Sequence, residues 1–158
     1  MKILKFIAVP LCLVLLGCSR EFGWSGTIVI TVTSEVIQGE WVEDMSRRAL
    51  WSDQKPEKPG RFIVHADGTL EAYDIPNQIV SIDESSNPPS VSGTAKWSFE
   101  YMESPRKHQI FRVSWPREMS PPDGLGQVGY FGRESGKLIV WFYVGDSDLY
   151  NRVVFVKK

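Results

Sequence analysis

Gly124-Leu125-Gly126-Gln127-Val128-Gly129 matches, letter for letter, the glycine pattern that cradles a pyrophosphate. Such glycines act only between a strand and a helix whose amino end meets the phosphates. Here Pro121-Pro122-Asp123 precedes them and Tyr130-Phe131-Gly132 follows, so the expectation is a loop that opens a strand. Ser104-Pro105-Arg106-Lys107 has the Ser-x-x-Lys spacing of a nucleophile with its base, but no Ser-Asp-Asn or Lys-Thr-Gly accompanies it, and a polar loop is expected. Asp146, Asp148 and Asn151 offer calcium-type oxygens at a spacing unlike that of an EF-hand, and a β-turn uses the same residue types. Glu40, Glu43, Asp44, Glu100 and Glu103 could furnish a carboxylate pair for glycoside hydrolysis, although spacing alone sets no separation between them. His65 and His108 occur without an H-E-x-x-H pattern, so zinc ligation is not argued. The sequence therefore nominates no catalytic residue, no metal ligand and no cofactor.

One segment does declare its chemistry. Met1, Lys2 and Lys5 lead an apolar run from Phe6 to Leu16, interrupted by Pro10, and then come Gly17 and Cys18. That run is too short for the roughly 30 Å hydrocarbon core, which takes about 20 apolar residues, and reads as an export signal. Leu15-Leu16-Gly17-Cys18 resembles the lipobox of bacterial lipoproteins. The resemblance implies cleavage by signal peptidase II before Cys18, a diacylglyceryl group on its sulfur and a third chain on its amine. Each buried methylene contributes about 0.8 kcal/mol, so three chains hold where one holds marginally. The chain would then be exported and membrane-anchored through the lipid on Cys18. Ser19 after the cysteine is similar to outer-membrane-directed examples, facing the periplasm if the source is Gram-negative.

Composition describes the anchored body. Removing residues 1–17 of the 158 leaves 141, enough for one domain with one core. Cys12 departs with the signal and Cys18 is lipidated, so the fold must stand without disulfides. Loss of Lys2 and Lys5 leaves 16 basic residues against 19 acidic ones, a net charge of −3 with histidine neutral. That balance argues against a nucleic-acid partner, which needs a basic patch. Six Trp, eight Phe and 42% hydrophobic residues exclude disorder.

The elements that position these residues read as strands. After a lipidated tether over 18–26 carrying Phe22 and Trp24, Thr27 to Thr33 is β-branched throughout and predicts a strand. Gln38 to Val42 opens a second, and Asp44 could cap a brief helical turn reaching Leu50. Trp51 to Gly60 reads as a solvated loop. Arg61 to His65 and Thr69 to Tyr73 flank Ala66-Asp67-Gly68, whose Asp-Gly supplies the positive φ of a hairpin turn. A polar excursion with Pro88-Pro89 follows, broken by a short strand expected at Ile79 to Ile82. Gly93 to Met102 alternates strictly, with Ala95, Trp97, Phe99 and Tyr101 on one face, and His108 to Trp115 repeats the pattern. Gln127 to Phe131 is a further strand. Lys137 to Val144 and Tyr150 to Val156 are apolar on both faces. No long 3.6-residue period appears in residues 18–158, which disfavours helix bundles and βαβ folds.

About 8–10 short strands predict an all-β domain over 27–158, a single antiparallel barrel or strongly rolled sheet whose closure removes exposed edges. Gly39-Glu40-Trp41 resembles the Gly-x-Trp that begins lipocalin-like barrels. Its succession with Asp67-Gly68-Thr69, Ser92-Gly93-Thr94, Trp97 and Gly145-Asp146 is similar to small bacterial lipoproteins of unassigned role. An eight-stranded barrel is just filled by its side chains or holds one small ligand. Trp41, Trp97, Phe99, Phe111, Trp115 and Trp141 are the candidate lining, with core packing the alternative use of the same rings. The expected function is a membrane-anchored, non-catalytic lipocalin-like domain that binds a small apolar ligand or acts in the cell envelope. The alternatives are a protein-interaction module, like envelope assembly factors or lysozyme inhibitors, and an unrecognised hydrolase.

Overall fold

Alternation of apolar and polar side chains at period two decides which face of each strand turns inward. The computed structural model describes residues 28–47, 57–80, 90–102, 108–119, 127–144 and 151–158. Its strands are β1 Ile28–Val29, β2 Gly39–Glu43, β3 Arg61–Val64, β4 Thr69–Pro76, β5 Ser90–Met102, β6 His108–Ser114, β7 Gln127–Glu134, β8 Lys137–Tyr143 and β9 Arg152–Lys157. Two short helices, α1 Ser34–Ile37 and α2 Asn77–Val80, and a 3₁₀ turn at Met45–Arg47 complete the set. Strands β2 to β9 pair antiparallel with their neighbours in chain order. Trp41 opposite Lys157 and Glu43 opposite Phe155 then join β2 to β9. The sheet thus closes into an eight-stranded, lipocalin-like barrel, and β1 is an added strand beside β7.

In an up-and-down barrel the connections alternate between ends. The β3–β4, β5–β6 and β7–β8 turns share one end with the start of β2, and the remaining connections share the other. The β3–β4 turn is the expected one. Gly68 has φ +83°, and Asp67 Oδ1 accepts from the Thr69 amide at 2.9 Å and from its hydroxyl at 2.6 Å. The 3₁₀ turn also stands where expected, with Asp44 Oδ1 accepting from Ser46 N at 3.2 Å. Strand β5 shows the predicted alternation, except that Tyr101 projects past the core and is exposed.

Two expectations are corrected. Of the strand expected over Thr27 to Thr33, Thr27 lies outside the described residues, and of the rest Ile28 and Val29 pair opposite Arg133 and Gly132, with Ile30 N donating once more to Phe131 O at 3.0 Å. The reason is that the chain leaves the sheet and turns inward, where a side chain takes over the pairing. Gln109 Oε1 accepts from Val32 N at 2.7 Å while Gln109 Nε2 donates to Val32 O at 2.9 Å. Helix α1 then crosses the barrel end with Ile37 buried, and Trp41 Nε1 donates to Ile37 O at 2.8 Å. The strand expected from Ile79 is instead α2, which follows directly on Pro76 and turns Ile79 and Val80 into the opposite barrel end. Residues 81–82 lie outside the described ones.

Candidate functional site

The barrel interior is a chain of rings. Trp97 meets Phe99 edge-on at 5.5 Å and Phe111 at 6.0 Å; Phe111 meets Phe131 at 5.3 Å, and Phe131 meets Trp41 at 5.9 Å. Trp41 stacks on Phe62 at 5.9 Å, and Phe62 lies 4.9 Å from Phe155. Trp41, Phe111 and Phe155 are each 0% exposed. Four of the six nominated aromatics, Trp41, Trp97, Phe99 and Phe111, are therefore brought together. A fifth, Trp115, packs against the same core at its α2 end, lining a cleft of about 10 Å³ with Phe62, Ile79, Val113, Phe142 and Phe155. That volume is far below the roughly 300 Å³ of a small-molecule site.

Trp141 does not join them. It lies on the outer wall with Ile139 and Val154, stacked on Tyr130 at 5.8 Å and capped by the Arg152 guanidinium at 5.4 Å. Burial lowers the Arg152 pKa, and the carboxylate of Glu134 counters that shift. Phe62, Phe131, Phe142 and Phe155 were absent from the nominated set although they complete the interior. The alternation around Phe62 could have found the first of them. For Phe142 and Phe155 no signal existed, because β8 and β9 are apolar on both faces.

The nominated acids occupy separate places. Glu43 is buried, its Oε2 accepting from Gly60 N at 2.8 Å, and Glu40 faces Arg61 at 3.5 Å on the outer wall. Asp44 caps the 3₁₀ turn and pairs with Arg47 at 3.1 Å, and Arg47 also reaches Glu134. Glu100 accepts from Arg112 Nε at 2.6 Å, which holds its carboxyl below the ordinary range. Glu103 and Ser104 to Lys107 lie outside the described residues, as do Cys18, the tether, Gly124, Gly126, Asp146 and Asp148. His65 Nε2 lies 3.1 Å from Glu71 Oε1, and the Tyr73 hydroxyl donates to Glu71 Oε2 at 2.6 Å. The Tyr73 bond leads the downward shift of the Glu71 carboxyl and raises the Tyr73 phenol. Arg61 covers the Tyr73 ring at 4.1 Å, so this row on β3 and β4 is a solvated charge ladder. Among the described residues no three of His, Cys, Asp and Glu are grouped to hold a metal ion.

The glycine motif has a structural explanation for its last member. A Cβ on Gly129 would stand 2.9 Å from Phe142 Cε1, so Gly129 gives the Phe142 ring its place in the barrel interior. Gln127, Val128 and Gly129 lie within β7, with no helix following. What these residues define is a closed antiparallel β-barrel with an aromatic core, plugged at one end by α1 and at the other by α2. Comparison of the chain with protein-family models, with curated proteins and with solved structures finds no match.

Proposed function

We propose that this chain is a lipid-anchored envelope protein whose barrel is a rigid, non-catalytic binding module acting through its outer surface and ends. The observation that carries this reading is the ring-filled interior. The inward residues of the described strands pack against one another, and the cleft beside Trp115 has room for one water molecule at most. An apolar ligand would have to displace rings that the core itself requires. The dispersed, individually engaged acids support a role without catalysis. The anchor rests on the lipobox resemblance at Cys18, and the partner class this arrangement fits is another envelope protein.

Two measurements test the reading together. Cys18→Ser should move the protein from the membrane fraction to the soluble one, and the soluble barrel should show no saturable binding of a fluorescent fatty acid. A variant still in the membrane fraction would overturn the anchor. Stoichiometric uptake of the fatty acid would restore the barrel interior as a ligand site.

A further inference from the structure

Where the chain comes into the barrel determines which end can reach the bilayer. Ile28 stands opposite Arg133, beside the β7–β8 turn, so the described chain begins at the end that α1 covers. Nine residues lie between Cys18 and Ile28, so the ten steps that join them reach at most about 36 Å even at full extension. A lipid on Cys18 would hold that end near the membrane surface.

The same end carries unusual side chains. Among the described residues, four large hydrophobic side chains are exposed, and three of them, Val36, Tyr101 and Met102, lie here. Tyr101, the most exposed at 59%, stands opposite Gln109, whose amide holds Val32 two residues before α1. Met102 stands one residue nearer the β5–β6 connection, its sulfur 3.8 Å from the Tyr130 hydroxyl. Arg133 and Lys137 are exposed on the same rim, but so are Glu35 and Asp67, so the charge is mixed and the apolar side chains distinguish this end. Tyrosine suits the interface between headgroups and chains because its ring is apolar and its hydroxyl stays wet.

We infer that the α1 end of the barrel rests on the lipid bilayer, with Val36, Tyr101 and Met102 in the headgroup region and the α2 end facing the aqueous side. This rests on the anchoring reading above. The partner of the α1 end is a lipid surface, which leaves the α2 end and the outer wall to an envelope protein.

The test uses the lipidated protein in vesicles of phosphatidylethanolamine and phosphatidylglycerol. Once Cys18 is acylated, an introduced cysteine is the one free thiol of the mature chain. An environment-sensitive fluorophore is attached at Tyr101→Cys, at Lys137→Cys near the same rim, or at Glu118→Cys in the connection between β6 and β7 at the opposite end. Spin-labelled lipid should quench the fluorophores at 101 and 137 severalfold more than at 118, with a blue shift at 101 that detergent abolishes. Equal quenching at both ends, or stronger quenching at 118, overturns the orientation while flotation with the vesicles leaves the anchor intact. Failure to float, with an unmodified Cys18 by mass, overturns the anchor and this inference together.

Discussion

Single side chains explain much of what the motifs suggested. Gly129 is required because Phe142 leaves no room for a Cβ, so Gly129→Ala should lower stability by about 1–3 kcal/mol, as overpacking does. Urea unfolding would show this, and an unchanged midpoint would contradict it. Gln109 is the less expected case. Its amide replaces two ladder bonds to Val32, and Gln109→Leu should cost about 2 kcal/mol or more because the Val32 amide and carbonyl stay buried without partners. Hydrogen exchange at the Val32 amide should accelerate in that variant. Acid sensitivity follows from Glu71 and Glu100, whose folded-state pKa values are lowered by Tyr73 and Arg112 respectively. Such bonds contribute in full above the unfolded carboxyl pKa, and their contribution fades as pH falls through the folded one. Glu100→Gln should therefore flatten the decline of Tm toward acid pH, and an identical decline would refute that role. At this scale the sequence could nominate aromatics but not choose among them. Phe99 and Phe111 were legible from alternation, while the outward turn of Trp141 was not, since Val140 and Phe142 beside it are equally apolar.

Elements were legible where a local rule settled them. The β3–β4 hairpin followed from Asp67-Gly68, and the long β5–β6 pair from strict alternation. Both strands of the β7–β8 hairpin were legible, but its turn went unread although Ser135-Gly136 was a usable signal. Both residues take positive φ, +50° and +78°, the pattern that lets a two-residue turn match strand twist. Gly136→Val should accordingly lose about 1–2 kcal/mol by thermal unfolding, since a β-branched residue is strained there. Strand β1 and helix α2 deceived the sequence reading for one reason: β propensity reports a residue that suits a half-buried surface, and the surface that Ile30, Val32, Ile79 and Val80 find is a barrel end. Their apolarity was read correctly and their partner was not, because ring closure by residues far apart in the chain leaves no local trace.

At the scale of the whole molecule, the proposed reading joins a closed barrel to a lipid anchor at Cys18. Closure through β2 and β9 removes both sheet edges of the barrel, so its ladder offers no open edge to a neighbouring chain. Core rings occupy the lumen where a lipocalin-like carrier would hold cargo, so the account turns on the surface and the tether. Its central claim is the anchor at Cys18, and the most direct test is the intact mass of the protein extracted from its native envelope. The account predicts a chain beginning at Cys18 that carries diacylglyceryl and amide-linked acyl groups, with no apolar molecule retained in the barrel. A chain that keeps residues 1–17, or begins at an unmodified Cys18, would contradict it.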